Sequence, residues 1–510
     1  MTKLSQSSWV YKPQGTVGSE RPPGGFFSLW KREILIMYLK KWFTACFALA
    51  LIALLAGCGN SSDSSNSSGN SNPQSNSVFV TGTDAPLPSV VGFRVDITGM
   101  TLSDGTGTPV SVLSGSQTVD FARLNGMRTL LDINSIPTGT YTQAVITLAN
   151  PSIDYLNVTN PQTNPPTHPT ISTLDTSANS TPQLSLTTSS VTISLANPLV
   201  VSAGDIDGLR FEFDIRKSVA VDANGQITGA ITPNINLKVI TPSDADAYID
   251  EFDAGVVSVN ASGNSFVIQG PHGHQFTVNV NQQTEWEGND TINDLGSDSI
   301  VEISGTLDRT SAAILADTVC IVSQNKFWAG GLVTYVDPPV GTADDFDMYV
   351  RNVLPSGTGF NSGQISTINL TGNEKFFIHW WHNNWGSFLF NSTGLVPGQH
   401  VSIAGPFSNG QVTVKRVVLR HSGHTGTLVV GQTNTSAGTF QFDSNGLAGV
   451  LFQDPVTVQV TPFTRYLGGL HGLGDLTGTA ALDLRVVGLI LKTNTGDPIF
   501  LAFSVEELPN

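Results

Sequence analysis

From Val78 onward the chain alternates apolar and polar residues one for one in short runs. Examples are Val78-Phe79-Val80, Phe93-Arg94-Val95-Asp96-Ile97, Gln143-Ala144-Val145-Ile146-Thr147-Leu148, Val191-Thr192-Ile193-Ser194-Leu195 and Leu209-Arg210-Phe211-Glu212-Phe213-Asp214-Ile215. A period of two puts the apolar side chains of a run on one face. Such runs read as strands of antiparallel sheets with one buried side. Pro137-Thr138-Gly139 and Asn224-Gly225 supply turns. No long amphipathic helix follows residue 58, so the expected fold class is all-β. Only 13% of residues are charged, about half the usual share, and Ser, Thr, Asn and Gly fill the surface instead. The net charge of −16 argues against nucleic acid and anionic lipid as partners, because both need a basic face.

The start of the chain sets an address. Lys40-Lys41, the apolar residues 42–55 and Leu55-Ala56-Gly57-Cys58 form the three-part pattern of a bacterial lipoprotein signal. The apolar run stops short of the roughly 20 residues a spanning helix needs, which weakens its reading as a transmembrane anchor. Met37 would give a leader of ordinary length and is the expected translation start. Residues 1–57 are then a leader and signal peptide that is removed, and Cys58 carries acyl chains such as palmitate that hold the protein to a membrane. Gly59, rather than Asp, follows the cysteine. By resemblance to the sorting of enterobacterial lipoproteins, the expected location is the cell envelope, lipid-anchored, at the outer membrane. Cys46 leaves with the leader, so Cys320 is the one remaining thiol. No intrachain disulfide is then expected in spite of an oxidising compartment, and Cys320 reads as a small buried hydrophobe.

Residues 58–77 are Ser- and Asn-rich without a large apolar side chain. They read as a flexible tether with a span on the order of 25 Å. Beyond it the expected domains are 78–242, 254–322, 328–420 and 424–508. Breaks around 241–253, 323–327 and 421–423 mark the boundaries and are the expected sites of limited proteolysis.

Thr83-Asp84-Ala85-Pro86, Val119-Asp120-Phe121, Leu130-Leu131, Pro137-Thr138-Gly139-Thr140-Tyr141 and Phe213-Asp214-Ile215-Arg216-Lys217-Ser218 resemble the domain of unknown function 4382 family of bacterial lipoproteins. The resemblance covers roughly 78–242, departs in the insertion at 157–182, and implies a β-sandwich with no established catalytic residue. Asp84 and Asp214 are expected to cap turns or pair across strands. The second half repeats internally. Gly255, Gly331 and Gly426 each open a short apolar strand, and Gly305, Gly405 and, less clearly, Gly488 each close one. A strand then leads into Thr or Glu with an aromatic nearby, as in Val278-Asn279-Val280 before Thr284-Glu285-Trp286, and Val458-Gln459-Val460 before Thr464-Arg465-Tyr466. These units resemble the domain of unknown function 5666, which implies about three small OB-like β-barrel repeats. The fold label alone implies no ligand.

The densest chemistry lies in residues 376–388. His379, Trp380, Trp381, His382, Asn383 and Trp385 are the candidate binding residues: on a surface loop, indoles beside Asn and His stack on sugars or form a protein-binding hot spot. The alternative is that these aromatics complete a barrel core. His379 and His382 could share a metal only on a helix, since an offset of three points to opposite faces of a strand. His421 and His424, and His272 and His274, fall near junctions or turns where solvated histidines are common. Asp250-Glu251 with Asp253, Asp205 with Asp207, and Asp344-Asp345 with Asp347 could bind Ca²⁺ but read more naturally as solvated turns. No cofactor and no metal is expected. There is no Gly-x-Ser-x-Gly, no His-Glu-x-x-His and no phosphate-cradling loop, and Gly472-Leu473-Gly474 lacks a βαβ setting. The leading expectation is a membrane-tethered β lipoprotein that binds a glycan or envelope protein, or scaffolds; the rival is a carbohydrate-active hydrolase.

Overall fold

A computed structural model describes residues 77–508, apart from 86–89, 125, 158–167, 205, 223–225, 241–246, 271–274, 288–289, 298, 309–310, 312, 323–324, 339–340, 380–389, 444–454 and 494–497. The fold is all-β. Two sheets open the described region. In one, strands Ile235–Ile240, Ile206–Asp214, Ser77–Ala85 and Thr129–Ser135 lie side by side, with Ser77–Ala85 parallel to Ile206–Asp214. The other is built on the long strands Val90–Ser103 and Gly139–Asn157. Both press apolar faces into one core, in which Phe93, Phe121, Phe211 and Phe213 make ring contacts at 5.0–6.5 Å. This is a β-sandwich. Asp214 caps the short helix Ile215–Ser218, its Oδ1 accepting from the Lys217 N–H at 3.0 Å.

Three barrel-like units follow. In the first, strands Tyr248–Asn260, Ser265–Gln269, Gln275–Asn279, Ile300–Leu307 and Ile314–Val322 pair in the ring order one-two-three-five-four, and the third strand closes the ring by running parallel to the fifth. The last unit is a closed barrel with the same order, built from Ser422–Asn434, Thr439–Asp443, Val456–Leu467, Asp483–Lys492 and Pro498–Glu507, again with third and fifth strands parallel. The middle unit keeps the order with its third strand split into Ile365–Asn369 and Lys375–Ile378; the second piece runs parallel to Arg416–Arg420. This is the five-stranded Greek-key plan of OB-type barrels.

The motifs that mark the repeat have a physical basis. At Gly305, Gly405 and Gly488 an added Cβ would sit 2.3, 2.0 and 1.9 Å from a carbonyl oxygen of Leu315, Thr413 and Leu501 respectively. Only glycine lets the backbones come that close. Thr284 Oγ1 accepts from the Asn281 N–H at 2.9 Å and donates to the Ala316 carbonyl at 2.8 Å. Thr464 does the same with the Thr461 N–H and the Ala502 carbonyl, at 2.8 and 2.7 Å. In the middle unit Glu374 takes this place, accepting from the Thr371 N–H at 2.8 Å. The aromatic two residues on, Trp286, Phe376 or Tyr466, packs against the core of its own barrel.

The sandwich and the barrels are not beads on a string. Residues 73–510 form one compact unit, and apolar clusters cross the boundaries of the sandwich with the first two barrels and of the second barrel with the first and third. Phe79, Leu130 and Ile240 of the sandwich pack with Ile249, Phe252 and Leu307 of the first barrel. Val91 and Leu156 meet Leu332 and Tyr349 of the second. Leu489, Leu491 and Leu501 of the third barrel complete the core of the second. The stretch 241–253, read from the sequence as an exposed boundary, carries residues 248–253 inside the first strand of the first barrel, with Asp250 and Glu251 buried. His421 alone separates the last strand of the second barrel from the first strand of the third.

Candidate functional site

The ionisable groups that the fold gathers are buried where these parts meet. In Ile300–Leu307, Val301 and Ile303 enter the first barrel's core, which turns Glu302 and Ser304 outward. In Arg416–Arg420, Val417 and Leu419 enter the second barrel's core, turning Arg416, Val418 and Arg420 outward. These two outer faces are pressed together. Arg420 donates from Nε to Ser402 Oγ at 2.9 Å and from Nη2 to Glu302 Oε2 at 3.0 Å, and also pairs with Glu287 Oε1 at 3.0 Å. Arg416 meets Glu287 Oε2 at 2.6 Å. Arg420 and Glu302 are each 1% exposed. Acids come from the first barrel and guanidiniums from the second, so the contact is complementary in sign.

The sandwich inserts into the same place. The 3-10 turn Phe121–Leu124 and residues 126–128 touch all three barrels. Arg123 donates to the Glu251 carbonyl at 2.6 Å. The backbone of Arg128 exchanges bonds with Asp250: its N–H donates to Oδ2 at 2.9 Å and its carbonyl accepts the Asp250 N–H at 2.7 Å. Arg351 of the second barrel donates to the Ala122 carbonyl at 3.4 Å. Gly126 lies against the third barrel, where an added Cβ would be 2.5 Å from Val487 Cγ2 and 3.0 Å from Gly423 Cα.

Histidines complete the junction. His400 Nε2 lies 3.7 Å from Glu251 Oε2 and its Nδ1 3.2 Å from the His421 carbonyl. His421 Nε2 lies 3.0 Å from Asp250 Oδ1, and its ring stacks on His379 at 6.4 Å. His424 packs edge-on against Phe500 at 5.3 Å with Nε2 3.3 Å from Ser422 Oγ. Burial lowers His400 to about 4 against the pull of Glu251, with Arg351 adding to the lowering. Burial and Arg351 lower His424 to about 4. His379 is pushed well below its usual value by burial and by Arg420. Burial alone would raise Glu251, yet the charges of His400, Arg420 and Arg123 outweigh it and hold this carboxyl at about 2. Glu302 goes the other way, to about 8: burial and the neighbouring Glu287, Glu251 and Asp253 outweigh Arg420, whose charge is shared. Burial likewise raises Asp253 to about 6.

Three further ion-pair clusters bind the parts together. Asp154 of the sandwich accepts from Arg94 and from the hydroxyl of Tyr349 in the second barrel, both at 2.6 Å. Arg216 donates to Asp483 at 2.9 Å, and Arg485 of the third barrel pairs with Glu212 on the sandwich. His168 Nδ1 lies 2.7 Å from Asp347 Oδ2, which joins the sandwich to the second barrel again.

Of the candidate binding residues, His379 is inside, 4% exposed, with Nε2 3.3 Å from Thr318 Oγ1. Trp380, Trp381, His382, Asn383 and Trp385 lie outside the described residues, as do Cys58 with its leader and tether, His272, His274 and Asp205. Asp250, Glu251 and Asp253 are not a solvated turn: they lie in a buried strand facing Arg128, Arg123 and Asn352. His421 and His424 are not solvated either; they are built into the junction. Asp347 is also buried, accepting from Thr367 Oγ1 at 2.7 Å. Gly472-Leu473-Gly474 leads into the 3-10 turn Leu473–Thr477, capped by Asp475. Cys320 is a buried free thiol, 3.5 Å from an Arg416 nitrogen. No group of three or more His, Cys, Asp or Glu among the described residues is placed to hold a metal ion, and no described helix is long and apolar enough to cross a membrane.

What sequence reasoning missed is the role of arginine. A charge in a strand whose other residues are apolar on both faces, as in Val417-Val418-Leu419-Arg420 or Val301-Glu302-Ile303, signals that the outer face is covered too. Comparison with known proteins reaches one part of the chain. The model of the Domain of unknown function (DUF4382) matches residues 77–228, the greater part of the sandwich. No curated protein matches the chain. Among solved structures, Drosophila Unr CSD456 is similar at 9% identity over 51% of this chain and 97% of that one, with a TM-score of 0.13, too weak a likeness to carry an argument about fold or ligand.

Proposed function

We propose that the chain is a membrane-tethered extracytoplasmic lipoprotein of the cell envelope, anchored through Cys58, that presents a rigid β body in a binding or scaffolding role. The observation that carries the scaffolding reading is the welding of sandwich and barrels at residues 121–128, where one short segment touches all three barrels. Rigid spacing between surfaces is what a scaffold requires. The address rests on Lys40-Lys41, residues 42–55 and Leu55-Ala56-Gly57-Cys58. The tether of 58–77 would lift the body off the headgroups.

The hydrolase alternative needs two carboxylates across an open cleft. Among the described residues, Asp250, Glu251, Glu287 and Glu302 form a dense carboxylate group, but they are buried and engaged by protein partners, Glu251, Glu287 and Glu302 by Arg420 and Asp250 by His421, rather than lining an open cleft. A panel of polysaccharides and isolated envelope proteins, scored for both retention and product release, tests the reading. Retention without product supports it; released product overturns it in favour of the hydrolase. Failure of a Cys58→Ser variant to leave the membrane fraction would overturn the lipid anchor separately.

A further inference from the structure

We propose that residues 248–251 are a latch between the sandwich and the first barrel: a piece of strand held in place only while residues 123–128 are seated against it, with Glu251 as its hinge. The inference depends on neither the membrane tether nor the binding role.

Glu251 has the unusual backbone. Among the described residues, four other than glycine have a positive φ: Asn150, Asn264, Asn409 and Glu251. Asparagine adopts the left-handed region more readily than most side chains, and all three asparagines are exposed. Glu251, with φ of +46°, is 3% exposed. A buried glutamate persists in that region only where its surroundings over-determine it.

Those surroundings come from three parts of the molecule. In the pairing of Tyr248–Asn260 with Ile300–Leu307, Ile249 lies opposite Gly305 and Phe252 opposite Ile303, so Asp250 and Glu251 both stand against Ser304. Two residues against one is a β-bulge. The Glu251 N–H donates to Ser304 Oγ at 3.0 Å, within the barrel. The Glu251 carbonyl accepts from Arg123 Nη2 at 2.6 Å, and the Asp250 N–H donates to the Arg128 carbonyl at 2.7 Å. Both of these partners belong to the sandwich. The Glu251 carboxylate reaches the second barrel, with Oε2 3.7 Å from His400 Nε2 and Oε1 3.9 Å from Arg420 Nε.

Undocking removes what holds the bulge. With residues 123–128 withdrawn, two of its main-chain groups lose their partners while the left-handed backbone stays unfavourable. The strand beyond the bulge is secure: Phe252, Asp253, Ala254 and Gly255 pair with Ile300–Leu307, and the stretch from Gly255 to Asn260 pairs with Ser265–Gln269. Before the bulge, only Tyr248 and Ile249 among the described residues are in register, with Thr306 and Gly305. Residues 248–251 therefore release first, turning at Glu251, and take Ile249 out of the apolar cluster that the barrel shares with Phe79 and Leu130. Docking of the sandwich and completion of the barrel's first strand are one event, local enough for hydrogen exchange to resolve.

The test is hydrogen–deuterium exchange of the full chain at about pH 7, corrected for intrinsic rates. A peptide covering 248–253 is compared with the strands Ser265–Gln269 and Gln275–Asn279, whose ladder partners all lie within the first barrel. Arg123→Gln, which removes the charged donor, should lower protection of 248–253 roughly tenfold and leave the two reference strands unchanged. Arg123→Lys keeps a cationic donor and should recover most of that loss. No change at 248–253, or an equal loss in all three peptides, would overturn the latch. The hinge is tested by neutral substitutes at Glu251. Glu251→Gln and Glu251→Asn remove the same charge, but only asparagine favours the left-handed backbone, so the Asn variant should be protected at 248–253 roughly threefold or more above the Gln variant. Glu251→Gly should at least equal the Asn variant. A Gln variant protected as well as the Asn and Gly variants contradicts the hinge. Where Arg123→Gln fails to fold, the comparison at Glu251 decides alone.

Discussion

Arg420 and Glu302 meet at 3.0 Å across the boundary between two barrels, and each is 1% exposed. They lie 118 residues apart in sequence. Arg420 serves Glu302, Glu287 and Ser402 at once, so removing it takes a donor from three buried acceptors even though Glu287 keeps Arg416, whereas Glu302, raised to about 8, loses little by becoming an amide. Arg420→Met should cost about 3–5 kcal/mol and Glu302→Gln about 1 kcal/mol or less, read as urea midpoints at pH 7. Equal costs would contradict this division of charge.

Gly126 has φ of +70° and faces Val487 and Gly423 across the sandwich–third barrel boundary. A side chain there meets both an unfavourable backbone region and a packed neighbour. Gly126→Ala should destabilise by roughly 2–4 kcal/mol, while Gly410→Ala, whose φ is +73° with open space around it, should cost only about 1 kcal/mol. Chemical denaturation of the two variants separates steric fit from backbone strain.

Stability should fall with acid. His400 and His424, held near 4 in the folded chain, take up protons on unfolding once the pH drops below about 6.5. Their contribution is complete above that value and is lost as pH falls towards 4. Glu251, at about 2, extends the loss below about 4.5. Glu302 and Asp253, raised to about 8 and about 6, work in the opposite direction. Three histidines against these two carboxyls leave about one net proton between pH 6 and 5, or about 1.4 kcal/mol per pH unit. Urea titrations at both values check the sign; higher stability at pH 5 would refute it.

Cys320 should be silent in the native state. Burial first, and then the charge of Glu287, push its thiol far above the usual range, and thiolate is the reactive form. A thiol reagent at pH 8 should label it only after denaturant is added. Rapid labelling of the folded chain would show that the boundary where Cys320 and Val322 of the first barrel pack with Trp328 of the second is open.

The alternation of the strands was legible because it is local. In Leu209-Arg210-Phe211-Glu212-Phe213 the apolar residues do line the sandwich core. The polar face was read as solvated, but Glu212 is covered by Arg485 of the third barrel, 273 residues away. The repeat was legible for the same reason: Thr284 and Thr464 close a turn three residues back, and Gly305, Gly405 and Gly488 admit a neighbouring backbone. The junction was not legible. Asp250-Glu251 looks like any exposed acidic pair until Arg123 and His400 are placed beside it, and no spacing rule links residues more than a hundred positions apart. The Trp-rich stretch gave a site hypothesis from composition alone, and of its six candidate binding residues only His379, which faces inward, lies among the described residues.

The welding of the sandwich to the barrels is tested most directly by trypsin, because the segment that makes the weld carries its own cleavage sites at Arg123 and Arg128. Brief digestion of the native full chain, with fragments mapped by mass spectrometry, should show no early cleavage after Arg123, Arg128, Arg351 or Arg420, with the first cuts at exposed positions such as Lys238 or Lys415. Early cleavage after Arg123 or Arg128 in the folded protein would show that residues 121–128 are not held among the barrels and would contradict the account.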